Sequence, residues 1–170
     1  MFESCVLGVD PGVASCGLAA VTRSGSRVRV LWSDTVRTPS GLEEALRLRA
    51  LWEALREAIA AHRPEALAIE QVMWGQNKTS AIAVARATGV VMLAAADSGV
   101  AVEEYAPLEV KMAVTGLGNA DKRRVREALI RAHRVEGVPE QADAVDAVAV
   151  ALCHLQQSRL RQAARAAGAR

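Results

Sequence analysis

Four carboxylates interrupt stretches of this sequence that are otherwise apolar. Asp10 closes the run Cys5-Val6-Leu7-Gly8-Val9 and is followed at once by Pro11-Gly12, and Glu70 closes Ala66-Leu67-Ala68-Ile69. Asp143 and Asp146 stand in Gln141-Ala-Asp-Ala-Val-Asp-Ala-Val-Ala-Val150, surrounded by Ala and Val. A charge in such a setting is costly unless something positive meets it, and little basic charge lies beside these four. An all-oxygen donor set selects a hard divalent cation, Mg²⁺ or Mn²⁺, rather than zinc. Two such ions about 3.5–4 Å apart would neutralise four converging carboxylates and clamp a phosphodiester, one activating the attacking water and the other stabilising the leaving 3′ oxygen. No protein nucleophile is needed for that chemistry, and Ser15 and Cys16 have no matching His. Taken singly, each acid also has an ordinary structural role. Asp143 suits the first turn of a helix, Asp10 a turn before Pro-Gly, and Glu70 a pair with Lys or Arg at a strand end. A second acid inside an uninterrupted apolar helix is harder to explain this way, and the four together favour a shared site.

The elements that carry these acids can be read from periodicity. Cys5 to Asp10 is short, Val/Leu-rich and closed by a turn signal, as a buried strand is. Cys16–Thr22 and Arg27–Thr35, joined at Ser24-Gly25-Ser26, form a hairpin with an alternating outer strand. Leu42 to His62 is an amphipathic helix with Leu42, Ala45, Leu48, Trp52, Leu55 and Ile59 on one stripe. Ala66–Glu70 is a fourth strand, and a helix over 80–96, which Thr79 can cap, is apolar almost all round. That character suits deep core or a subunit interface, with both faces covered. Val100 to Tyr105 is a fifth strand, and Pro107 starts a short helix to Val114. Asn119 is expected to cap a basic helix from Asp121 to His133, and a last helix runs from about Ala142 to Leu155. The order βββ-α-β-α-β-α-α-α, with one antiparallel hairpin and crossover helices, predicts an α/β fold with a mixed sheet and helices on both faces. In such a sheet Asp10 and Glu70 emerge at one edge. The i, i+3 spacing puts Asp143 and Asp146 on one helical face.

The 170 residues favour one domain, expected over residues 1–158, with a basic, disordered tail over 159–170. The net charge of +2 hides an asymmetry, because without the four arginines of that tail 17 basic residues face 19 acidic ones. If four of the acids hold metal, the remaining surface is basic. No apolar run reaches membrane-spanning length without a charge, and there is no signal-type segment, so a cytoplasmic protein is expected. Cys5, Cys16 and Cys153 are odd in number and set among apolar residues, as reduced thiols are.

A second concentration of positive charge lies at Lys122, Arg123, Arg124, Arg126, Arg131 and Arg134. It is either a solvated helix face or a phosphate-contacting one. Lys111 and Lys122 are candidates for holding phosphate or water, with ordinary surface lysine as the alternative. The loop after Glu70 sets Met73 and Trp74 beside Asn77 and Lys78, side chains that can wedge or stack against unpaired bases. Trp74 could equally tuck onto the following helix.

The segments Leu7-Gly-Val-Asp-Pro-Gly12, Ala68-Ile-Glu-Gln-Val72, Val110-Lys111, Gly116-Leu-Gly-Asn-Ala-Asp-Lys122 and Gln141-Ala-Asp-Ala-Val-Asp-Ala147 occur in an order that resembles the RuvC family of crossover (Holliday) junction endodeoxyribonucleases. The resemblance runs from residue 7 to about 154. It implies a ribonuclease H-like five-stranded sheet and a homodimeric, Mg²⁺-dependent nuclease that cuts four-way DNA junctions by symmetric nicks in strands of like polarity. It also implies partnership with the branch-migration proteins RuvA and RuvB. By position it implies Asp10, Glu70, Asp143 and Asp146 as metal-binding catalytic residues, Lys111 and Lys122 near DNA, and the helix over 80–96 as the dimer element. Met73 and Trp74 stand where family members often carry Phe, and the wedge role transfers more naturally to Trp74. Three rival readings fit less well. An actin-like or sugar-kinase ATPase needs two lobes, and 170 residues are too few. A ribosomal-RNA-processing nuclease of the same superfamily fits the Asp pair but not the Lys122 segment. A non-enzymatic junction-binding module would need no acids embedded in apolar elements.

Overall fold

A computed structural model describes residues 4–71 and 78–168, with side chains for residues 4–71 and 81–158. Five strands, β1 (Ser4–Asp10), β2 (Ser15–Ser24), β3 (Arg27–Arg37), β4 (Ala66–Glu70) and β5 (Ala101–Tyr105), form one sheet in the order β3-β2-β1-β4-β5. The β1–β2 and β2–β3 pairs are antiparallel, whereas β4 runs parallel to both β1 and β5. Five helices complete the described chain: α1 (Glu44–His62), α2 (Lys78–Asp97), α3 (Pro107–Thr115), α4 (Lys122–Arg131) and α5 (Ala142–Gly168). The expected element order holds, and the sheet is mixed because the hairpin supplies antiparallel pairs while helical crossovers return β4 and β5 in parallel.

Alternation along each strand divides the core. Leu7, Val9, Cys16, Leu18, Ala20, Leu67 and Ile69 face α1 and α2, meeting Leu51, Leu55, Ile59, Ala87 and Val91. Val6, Ala19, Val21 and Ala68 face the other way, toward Ala147, Val148 and Ala151 of α5. Since side chains two apart share a face, Gly8 and Asp10 on β1, Ser15 and Gly17 on β2, and Glu70 on β4 all look toward α5. The helix comes very close. A Cβ on Gly8 would lie 2.0 Å from the Ala147 carbonyl oxygen, and one on Gly17 would lie 1.9 Å from that of Asp143. Only glycine allows this approach.

Several expected boundaries and contacts are corrected. The expected α1 stripe holds at Leu48, Trp52, Leu55 and Ile59, which pack in the core together with Leu51 and Ala58, while Ala45 and Leu42, which precedes the helix, are exposed. The cap of α4 is Asp121, whose side chain accepts from the Arg124 N–H at 2.8 Å, in place of Asn119. The last helix continues through Gly168, well past Leu155. Helix α2 buries Ala87, Val91, Ala94 and Ala95 on the sheet but exposes Ile82, Met92 and Leu93, so within one chain only one of its faces is covered. All three cysteines are free thiols, with Cys16 and Cys153 buried. No helix among the described residues is long and apolar enough to cross a membrane.

Candidate active site

The last inward-facing residues of β1 and β4 are Asp10 and Glu70, each one step beyond the paired residues Val9 and Ile69. Parallel pairing brings both carboxylates to the same sheet edge. The first turns of α5 descend onto that edge because Gly17, the cross-strand partner of Asp10, leaves room for the backbone of Asp143. Asp10, Asp143 and Asp146 each offer an oxygen within 4.8 Å of the other two. Glu70 lies outside that trio but lines the same cleft as Asp10 and Asp146. The cleft has a volume of about 390 Å³ and is walled by Pro107, Val110, Lys111, Ala120, Asp121, Lys122, Val125 and Ala149.

The electrostatics of this cleft are those of crowded acids. The Asp10 carboxyl is pushed up to about 7, mainly by burial, then by the negative charges of Asp146 and Glu70. Glu70 is also raised, by burial first and by Asp146 second, with Lys111 and Lys122 opposing. The Lys122 ammonium donates to Asp146 Oδ2 at 2.6 Å. That hydrogen bond is the main reason its own proton is held more tightly than usual. Because the lysine side chain is 70% exposed, the pair contributes little to stability, about 1 kcal/mol at most. One exposed ammonium does not neutralise four carboxylates. The donor set is oxygen only, half-buried and mutually repelling, so its chemistry fits a hard divalent cation.

The family description Crossover junction endodeoxyribonuclease RuvC matches residues 6–154. A RuvC of Rubrobacter xylanophilus is 41% identical over 158 residues, which cover 93% of this chain and 88% of that one. A RuvC of Rhodococcus jostii is 47% identical over 150 residues, covering 88% and 79%. Among solved structures, T. thermophilus RuvC in complex with Holliday junction substrate matches with a TM-score of 0.85 at 30% identity, over 92% of this chain and 96% of that one. This chain belongs to the RuvC family. The RuvC likeness extends over both the strand ends and the first turns of α5, so the carboxylates fall inside the matched segment. Of the other residues singled out in the sequence, Lys111 and Lys122 line the cleft, on α3 and at the start of α4. Arg123 and Arg124 are exposed on α4 and are not part of the cleft wall, and Arg123 is paired with Glu127 at 2.9 Å. Met73, Trp74 and Asn77 lie outside the described residues, as does the side chain of Lys78.

Two contributors escaped the sequence reading. Ser15 Oγ donates to Asp143 Oδ2 at 2.5 Å across 128 residues of chain, a contact that no local pattern signals. Asp121 lines the cleft and caps α4, which sets where Lys122 begins. An Asp directly before a basic helix was a readable cap signal, masked by the neighbouring Asn119.

Proposed function

We propose that this chain resolves four-way DNA junctions by hydrolysing phosphodiesters in two strands of like polarity, in homologous recombination and DNA repair. The observation that carries this reading is the convergence of Asp10, Asp143 and Asp146 within 4.8 Å at the mouth of a cleft that also holds Glu70. The four carboxylates would hold Mg²⁺, two ions per subunit, with Mn²⁺ able to substitute. When bound, such ions supply charge neutralisation and an activated water for phosphodiester hydrolysis. The chain's own groups bind and orient. Lys111 and Lys122, on the wall facing the acids, hold the phosphate that enters the cleft. Arg123 and Arg124 extend positive charge along α4 for a DNA arm, where phosphate contacts supply affinity and register rather than sequence choice. Met73 or Trp74, with Asn77 and Lys78, meets the unpaired bases at the crossover.

A two-fold pair of subunits would set two such clefts against a two-fold junction. The outward stripe of α2, with Ile82, Met92 and Leu93 between 39% and 56% exposed, supports that helix as the dimer contact. RuvA and RuvB are the expected partners, residues 1–158 the nuclease domain with 159–170 a basic tail, and the cytoplasm the working compartment.

The test is Asp10→Asn in the full chain. It is expected to bind a four-way junction with wild-type affinity and to cleave it at least about 1,000-fold more slowly in Mg²⁺, while the wild type prefers the junction to linear duplex and structured RNA. Wild-type cleavage by the variant would end the site assignment. Equal cutting of duplex or RNA by the wild type would end the junction reading.

A further inference from the structure

We infer that Ser15 is a positioning residue for the metal site, holding the Asp143 carboxylate in its ligating orientation through a hydroxyl hydrogen bond. This rests on the metal-dependent reading above and adds a residue to it. Ser15 is the first residue of β2 and shares its inward face with Gly17. At consecutive inward positions β2 therefore offers α5 a hydroxyl and then a gap. The gap admits the Asp143 backbone, and the hydroxyl takes its side chain, Oγ to Oδ2 at 2.5 Å.

The bond has a specific task because of where Asp143 stands. It is the second residue of α5, where its carboxylate has competing attractions: water, and the free N–H groups and positive dipole end of its own helix. The like charges of Asp10 and Asp146 also push it outward when no cation is between them. A donated hydroxyl at short range opposes both escapes. It uses one lone-pair position of the carboxylate, and several remain for a cation. Lys122 does the corresponding work at Asp146, at 2.6 Å, but from an exposed and flexible side chain. Ser15, on a strand, is the stiffer of the two tethers. Hydrogen-bond partners behind a metal ligand fix its orientation, and their loss weakens metal affinity by about 10–100-fold.

The experiment titrates Mn²⁺ into the full-length protein without DNA, well below the unfolding temperature, for the wild type, Ser15→Ala, Ser15→Thr and Ser15→Val. Threonine and valine have nearly the same shape and differ by the hydroxyl, so a purely structural role for the position would treat them alike. Ser15→Ala and Ser15→Val are expected to bind Mn²⁺ about tenfold more weakly, with Ser15→Thr within about twofold of wild type. The Mg²⁺ concentration for half-maximal junction cleavage should shift in parallel, and the rate at saturating Mg²⁺ should largely recover. Equal Mn²⁺ affinity in the Thr and Val variants would overturn the role of Ser15 and leave the nuclease reading standing. A wild type that neither binds Mn²⁺ nor cuts the junction would overturn both.

Discussion

Each face of the sheet buries an apolar layer, yet the two layers are packed with side chains of different size. Against α1 and α2 the strands present Leu7, Val9, Leu18, Leu67 and Ile69, which meet Leu51, Leu55 and Ile59. Against α5 they present Val6, Gly8, Gly17, Ala19 and Ala68, which meet Ala147, Val148 and Ala151. Long side chains bury more area per residue, so the α1/α2 face carries the larger hydrophobic contribution, about 25 cal/mol per Å² removed from water. They also adapt, since a Leu can change rotamer and take up a small shift. Glycine and alanine cannot adapt. Where the Asp143 and Ala147 carbonyls rest on Gly17 and Gly8, the separation of helix and sheet is set by backbone contact. The face that carries the carboxylates is the one with no slack.

The sharpest way to break this contrast is Gly17→Ala. The new Cβ would meet the Asp143 carbonyl carbon at 2.3 Å as well as its oxygen at 1.9 Å, and these are backbone atoms that cannot rotate aside. The start of α5 must move, taking Asp143 and Asp146 with it. A displacement near 1 Å at a catalytic group can cost about 100-fold in rate, and overpacking typically costs about 1–3 kcal/mol. Junction cleavage is therefore expected to fall at least about 100-fold, with a lower urea midpoint. Undiminished cleavage would show that α5 is positioned by something other than this approach.

Leu55→Ala tests the opposite face. Leu55 is 0% exposed in the α1/α2 layer, and truncating it should cost about 2–5 kcal/mol of stability. Because the lesion is on the adaptable side, cleavage per folded molecule is expected to stay within about threefold of wild type, measured at a temperature where the variant is folded. A loss of cleavage as large as that of Gly17→Ala would remove the distinction between the faces.

The same contrast explains what the sequence could show. Strand ends and apolar runs are local, so the element order and the parity of Asp10 with Glu70 were readable from alternation. So was the shared helical face of Asp143 and Asp146. The stripe of α1 was readable from Leu48 to Ile59 but was extended a turn too far toward the N-terminus, because Leu42 and Ala45 match the period and only packing decides where the covered stretch begins. The extension of α5 beyond Leu155 has no apolar pattern to announce it, although alanine and arginine are good helix formers. The Ser15 bond and the two glycine contacts are long-range. Each glycine reads locally as a weak point in a strand, and its reason lies more than 120 residues away. The glycines that locate the site were thus the least informative residues until α5 was seen resting on them.

The smallest expected effect concerns charge rather than shape. A rigid face can neither expose its carboxylates nor let them spread, so without a cation their burial, and then their mutual repulsion, show as proton uptake. Asp10 is held near 7, against an unfolded value of 3.8. A carboxyl raised on folding stabilises the folded state while it is protonated, and that stabilisation is lost as pH rises from the unfolded value through the folded one. Between pH 6 and pH 8 the metal-free protein should lose about 1 kcal/mol from this group, a fall in Tm of about 2–4 °C for a chain of this length. Glu70, also raised, acts in the same direction. Mg²⁺ binds the ionised form, so it should lift Tm more at pH 8 than at pH 6. In Asp10→Asn, which has no proton to lose there, the pH-dependent part of both effects should shrink. If the carboxylate face could relax like the α1/α2 face, the acids would move apart. Asp10 would then lose the part of its shift that Asp146 and Glu70 contribute, and the Mg²⁺-induced rise in Tm would differ less between the two pH values.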